Sequence, residues 1–258
     1  MYNGYKSANL LSVNADAKTV KSLKKGILTG ILYLAPHNIS GHQVCANASE
    51  GCKAACIYSA GMGVYNNVQR GRINKTKWFF GERDTFMARL VKNIETLVRK
   101  AKRENLIPAI RLNGTSDIPW EKITCERSGI KFRNVMRAFP EIEFYDYTKI
   151  IGRKSALALP NYHLTFSLAE DNDADAKIAI EQGYNVAVVM NTKRSEAKPE
   201  TWGGYPVVDG DAIDARFLDP DGGHVVALFA KGQGTKDSTG FVRDKNGGFE
   251  DNIKLKVA

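Results

Sequence analysis

A chain of 258 residues with 43% hydrophobic residues is long enough to bury a large core, and it contains no repeat, low-complexity tract or Pro/Ser-rich linker, so one α/β domain over residues 1–258 is the simplest organisation. No run of about 18 apolar residues occurs and the N-terminus, Met1-Tyr2-Asn3-Gly4-Tyr5-Lys6, has no apolar signal core, which excludes a membrane partner and points to a reducing cytoplasm. The net charge of +9 favours polyanions, yet neither the Lys18, Lys21, Lys24, Lys25 group nor the Arg70, Arg72, Lys75, Lys77 group is interleaved with aromatic residues; a solvated basic surface explains them at least as well as a nucleic-acid groove.

In chain order, residues 27–34 read as a buried strand ended by Pro36. A cysteine segment follows, then a helix from about residue 52 to 59, closed by Gly61 and Gly63. A long amphipathic helix is expected over 82–104, where Phe86, Leu90, Ile94, Leu97 and Ala101 form one stripe. Strands are expected at 109–112, 143–147, 163–166, 186–190 and 225–230, with 206–208 a weaker candidate. Helices are expected near 130–139 and 173–182, the second closed by Gly183. Strands alternating with helices predict a mainly parallel sheet, and continuously apolar strands predict that both faces are covered. Such strands could close into a partial or complete (β/α) TIM-like barrel with the three-cysteine loop after its first strand; an open doubly wound sheet is the alternative.

Three of the four cysteines fall within a dozen residues, at Cys45, Cys52 and Cys56. Four cysteines are too sparse for a disulfide framework, whereas three thiolates in one loop can hold one face of a metal or cluster and leave a position open. The spacing, six residues and then three, differs from the usual zinc pattern, in which two residues separate the first ligand pair. His42 could complete a Cys3His zinc site with Cys45, Cys52 and Cys56, against the reading of His42 as an ordinary loop histidine. A [4Fe–4S] cluster needs only the three thiolates, with its fourth iron open, or bound by Cys125, His42 or an exogenous group. Cys125 reads more simply as a small buried residue.

In a parallel barrel, polar residues after each strand meet on the C-terminal rim. Asn113, Thr115, Ser116 and Asp117 follow the second of these strands, Lys149 the third and Lys231 the last, and all are candidate ligand-binding residues. Asp117 could equally cap the short helix begun at Pro119-Trp120-Glu121, and Lys149 and Lys231 could be salt-bridged or solvated. Glu170 reads as an exposed acid heading an acidic run. Asp209, Asp211 and Asp214 resemble a metal- or phosphate-partner cluster, although Gly210 makes Asp209–Asp211 a good turn. No residue is assigned a catalytic role.

Two resemblances rest on these residues. The expected barrel with Cys45, Cys52 and Cys56 after a strand resembles the radical S-adenosylmethionine superfamily. That resemblance implies a [4Fe–4S] cluster whose open iron binds S-adenosylmethionine. The chain departs from it in cysteine spacing and in lacking the glycine-glycine-glutamate motif, whose place is taken by residues 113–117. The chain as a whole resembles the phage gene-product-eighty-eight-like proteins, on residues 33–36, 51–56, 111–118, 144–149, 209–211 and 230–232. This second resemblance implies a viral protein acting in the cytoplasm of an infected bacterium, and carries no established activity. The leading expectation is an iron–sulfur protein with a small-molecule pocket beside an open iron. The alternatives are a zinc-stabilised protein binding nucleic acid or a host factor, and a phosphodiester- or nucleotide-processing enzyme using Asp117 and Asp209.

Overall fold

A computed structural model describes residue 4, residues 6–13 and residues 17–249. Most of the N-terminal segment read for a signal core, and the Lys18 side chain, lie outside the described residues. In chain order the elements are β1 (Leu11–Val13), α1 (Ala17–Leu23), β2 (Ile27–Leu32), α2 (Glu50–Ala54), α3 (Asn66–Gly81), α4 (Arg83–Arg103) and β3 (Ile107–Arg111). There follow β4 (Cys125–Arg127), β5 (Ile130–Phe132), α5 (Val135–Ala138), β6 (Glu143–Thr148), α6 (Lys154–Leu157), β7 (Tyr162–Ser167) and α7 (Asp173–Glu181). The last strands among the described residues are β8 (Asn185–Met190), β9 (Thr201–Trp202), β10 (Tyr205–Asp209) and β11 (Val225–Phe229). Among the described residues no helix is long and apolar enough to cross a membrane.

Nine strands form one sheet in the order β1-β2-β3-β6-β7-β8-β11-β10-β9. From β2 to β10 every neighbouring pair is parallel, and the two outermost strands are antiparallel to their neighbours. This confirms a mixed α/β fold with a mostly parallel sheet and corrects the expectation of a complete barrel, because β2 and β10 do not pair. Their outer edges are instead hydrogen-bonded to β1 and β9, which form the two edges of the sheet.

Parallel strands need crossovers, and crossovers are right-handed. The chain steps in one direction from β2 through β3, β6 and β7 to β8, so those connections lie on one face of the sheet, where α4 packs on β2 and β3, α6 on β7, and α7 on β7 and β8. From β10 to β11 the chain steps backwards. The same handedness then sends residues 210–224 across the opposite face, and their short 3-10 turn, Arg216–Leu218, lies over β6 and β7. Two apolar layers result. The larger contains Leu28, Ile110, Phe144, Phe166 and Val188, and the smaller contains Ile27, Ala109, Tyr145 and Ala215. All six residues of β2 are buried, as its continuous apolar run requires.

Local expectations fared unevenly. The 82–104 helix forms as α4, and its apolar stripe is buried. The expected 130–139 helix is reduced to α5, because Cys125–Arg127 and Ile130–Phe132 pair as a hairpin around Ser128 and Gly129, both at positive φ. The expected 52–59 helix breaks into α2 and a 3-10 turn, Ile57–Ser59. Helix α3 has no counterpart in the reading above. Its buried positions include Arg72, Thr76 and Phe79, one helix face of which two members are polar, so no apolar stripe marks it in the sequence.

Candidate functional site

Because the strands from β2 to β10 run parallel, their C-terminal ends share one edge of the sheet, and the cysteine segment leaves from that edge. It follows the second strand of the chain, not the first, and the three cysteines are not in one loop: Cys45 is in irregular backbone, Cys52 in α2, and Cys56 between α2 and the next turn. After β2 the backbone is tied to α3 by the Ala35 N–H donating to Thr76 Oγ1 at 2.8 Å. It turns at His37, whose φ is +39°, and the Val44 N–H donates back to the His37 carbonyl at 3.0 Å. The His37 N–H donates to Cys45 Sγ at 3.4 Å, and the Cys45 thiol faces the Thr115 carbonyl at 3.7 Å.

Helix α2 is short, so its start depends on side-chain caps. Ser49 Oγ accepts from the Cys52 N–H at 3.1 Å. Glu170, beyond the end of β7, accepts from Ser49 Oγ and from the Gly51 N–H, both at 2.6 Å. A carboxylate at a helix start satisfies free amides and complements their partial positive charge. At Gly51 the backbone is too close to its neighbours for any side chain: a Cβ would lie 2.1 Å from Thr239 Oγ1 and 2.8 Å from Phe241 Cβ.

All four cysteines are free. Burial pushes the Cys45 thiol up to about 12, the His37 N–H opposes this, and nearby Cys56, Cys52 and Asp117 raise it further. Burial also raises Cys56; the Tyr58 N–H opposes it, Cys52 adds to it, and the cationic Arg72 and Lys149 lower it. The three thiols therefore lie within electrostatic reach of one another, with two cations on the Cys56 side and a carboxylate on the Cys45 side. Among the described residues no group of three or more His, Cys, Asp or Glu side chains is arranged to hold a metal ion.

The predicted ligand residues mostly turn out to be braces beneath this segment. Asn113 is buried, and its Oδ1 accepts from Ser116 Oγ, the Ile118 N–H and Trp120 Nε1, while its Nδ2 donates to the Ile118 carbonyl. That occupies both Asn113 and Ser116. Thr115 Oγ1 donates to the Leu34 carbonyl at 2.5 Å. The Asp117 N–H donates to the Val44 carbonyl at 2.8 Å, and its carboxylate accepts from the Lys149 N–H at 2.8 Å and faces Arg153 at 3.6 Å. Gly114 is pressed against the end of β2, where a Cβ would lie 2.6 Å from Tyr33 Cδ1 and 2.8 Å from the Leu32 carbonyl oxygen.

Lys149 remains a rim cation: its Nζ donates to Ser167 Oγ at 2.7 Å and lies 5.7 Å from the Phe241 ring. Lys231 is instead paired with Asp211 at 2.7 Å and covers Phe229. The expected Asp209, Asp211, Asp214 cluster is dispersed. Asp209 turns back to the Asp211 N–H, Asp211 faces Lys198 and Lys231, and Asp214 is buried against Arg111 and Tyr145 on the other face of the sheet. Cys125 belongs to the hydrophobic core, where burial alone pushes it up to about 11. His42 is stacked flat on Phe80, with centroids 4.4 Å apart.

Two residues of the site escaped the sequence reading. Glu170, read as an exposed acid, caps α2. Arg72, read as part of a solvated basic group, is buried with its guanidinium 4.7 Å from the Tyr33 ring and 5.4 Å from the Tyr58 ring. Only the apolar flanks of β7 hinted at the first, and no sequence signal marked the second.

Comparison with known protein families shows that the profile described as Gene product 88 fits residues 9–245. No curated protein matches the chain, and no solved structure matches it. The resemblance to the radical S-adenosylmethionine superfamily thus finds no support in these comparisons.

Proposed function

The chain belongs to the Gene product 88 family of phage proteins, and from that premise and the thiol site we propose that it is an iron–sulfur protein holding a [4Fe–4S] cluster through Cys45, Cys52 and Cys56. The reading is supported by three free thiols on one stretch of chain at the C-terminal edge of the sheet, with Cys45 and Cys56 each raised by burial and by the thiols near them. In a cluster each thiolate binds a different iron, and three thiolates suffice to hold it with the fourth iron open.

When bound, such a cluster would supply an iron with an open coordination position beside the sheet edge, able to take a small ligand or an electron. The chain's own residues do the rest. The Glu170 carboxylate and Ser49 hydroxyl fix the start of α2 and so place Cys52. The 113–117 segment holds Val44 and Cys45 in place, and Lys149 with Arg72 offsets negative charge beside Cys56. Buried thiols bind metal only as thiolates, so loading releases protons.

The test is purification without oxygen, followed by an absorbance spectrum with iron, sulfide and zinc analysis of the same sample. The reading predicts brown protein with about four irons and four sulfides per chain, lost in the C45A/C52A/C56A variant. Colourless protein carrying zinc without sulfide would overturn it.

A further inference from the structure

The solvent face of α4 carries a row of cations. Arg89, Lys92, Thr96, Arg99 and Arg103 follow one another at intervals of three, four, three and four residues, which sets them on one side of the helix, and all five are exposed. Lys100, half-buried, borders the same row. At about 1.5 Å per residue, Arg89 to Arg103 spans about 21 Å. The opposite face, from Phe86 to Ala101, is buried in the core and holds the row in place.

A helix whose charges serve only solubility intersperses acids three or four residues from its bases. Two acids have that spacing here, and both are turned elsewhere. Glu95, three residues after Lys92 and four before Arg99, faces Arg127 of the β4–β5 hairpin at 3.7 Å. Glu104, four residues after Lys100, faces Arg103 at 3.5 Å. Arg99 donates to Thr96 Oγ1 at 3.0 Å. Among the described residues no carboxylate pairs with Arg89, Lys92, Arg99 or Lys100. Four like charges fixed in a row repel one another, and an extended line of negative charge offsets that repulsion.

The side chains between the cations decide which polyanion fits. A helix that lies in a lipid surface inserts apolar side chains, but the apolar face of α4 is in the core, and Ala88 is the one apolar residue exposed along it. A nucleic-acid single strand stacks its bases on aromatic rings, and no aromatic residue of α4 is exposed. A duplex needs neither. Its bases are stacked on each other, and it presents one phosphate charge per about 1.7 Å of axis.

We propose that the solvent face of α4 docks the phosphate backbone of a nucleic-acid duplex through Arg89, Lys92, Arg99 and Lys100. Contacts of this kind position a duplex and carry no sequence information. The surface lies on a different element from the thiols, and it is independent of what the thiols hold.

The experiment is fluorescence anisotropy of a labelled DNA duplex, an RNA duplex and a DNA single strand, each titrated with the full chain between about 50 and 200 mM salt. Duplexes of unrelated sequence should bind equally, and log affinity should fall against log salt with a slope of about −3 to −4, roughly 0.9 for each of about four phosphate contacts. Binding of either duplex in this way supports the proposal, and the ratio of the two affinities identifies which duplex is preferred.

In R89Q/K92Q/R99Q the slope should become shallower by about 3, one for each cation removed, and affinity at the lowest salt should fall roughly tenfold or more. K193Q/R194Q/K236Q removes three exposed cations from beyond β8 and from the 232–236 turn, and should bind like the parent chain. R89K/K92R/R99K keeps every charge and should do the same. Because all these residues are exposed, the melting temperatures should match the parent's. A parent chain that binds no duplex at the lowest salt would overturn the proposal. So would equal weakening in the two triple glutamine variants, tighter binding to the single strand, or binding to phosphatidylserine vesicles in place of duplex.

Discussion

Glu170 reaches across from the β7 end to hold the cysteine helix, so E170A is the sharpest probe of how the site is assembled. Its carboxylate makes two hydrogen bonds of 2.6 Å, to the Ser49 hydroxyl and the Gly51 N–H. A hydrogen bond to a charged group contributes about 1.5–3 kcal/mol, and removing the acceptor also leaves a helix-start amide unsatisfied. Glu170 is only half-buried, so water replaces part of what is lost, and a net cost of about 2 kcal/mol follows. For a domain of this size that is a fall of about 4–8 °C in Tm. E170Q keeps one oxygen acceptor and loses the charge, so it should fall between the two. The effect should also be local: once α2 loosens, Cys52 should react faster with iodoacetamide while Cys125, in the core, keeps its rate. Thermal melts and timed alkylation with peptide mapping measure both. An E170A protein with unchanged Tm and an unchanged Cys52 rate would refute the argument that Glu170 seats α2.

Two further outcomes are expected. G114A should be strongly destabilising, because its Cβ would lie 2.8 Å from the Leu32 carbonyl, and backbone cannot move aside as a side-chain tip can; a denaturation midpoint equal to that of the parent chain would contradict this contact. Asp146 is wholly buried, and burial pushes its carboxyl up to about 7, against the lowering effects of the Asn113 N–H, Arg111 and the Tyr162 hydroxyl. A carboxyl that holds its proton more tightly when folded adds stability that is full below about pH 4 and is lost as pH rises through about 7. D146N should therefore compare less favourably with the parent chain at pH 5 than at pH 8 in urea titrations; an equal stability difference at both would show that Asp146 does not titrate with folding.

Much of the architecture was legible in local pattern. Short apolar runs separated by polar turns identify β3, β6, β7, β8 and β11 to within a few residues, and the stripe from Phe86 to Ala101 identifies α4, because burial of one helix face or of a whole strand is written directly into residue spacing. The clustering of Cys45, Cys52 and Cys56, and the gathering of polar residues at strand ends, followed from the same linear information. What the linear pattern could not hold is the outcome of competition between distant partners. Asn113, Ser116 and Thr115 have the chemistry of ligand-binding residues, but Trp120, Ile118 and Leu34 take their hydrogen bonds first. Asp209, Asp211 and Asp214 stand close in sequence, yet the backward crossover into β11 carries Asp214 to the other face and leaves Asp211 to the lysines. Glu170 and Arg72 meet the cysteine segment only because a parallel sheet brings the ends of β2 and β7 to one edge and α3 is tied back onto the chain leaving β2. Composition and periodicity determine which segments must be buried; whether a polar group serves a ligand or the fold is decided by which partner tertiary packing brings within hydrogen-bond reach, since a buried donor or acceptor is satisfied by whatever lies nearest.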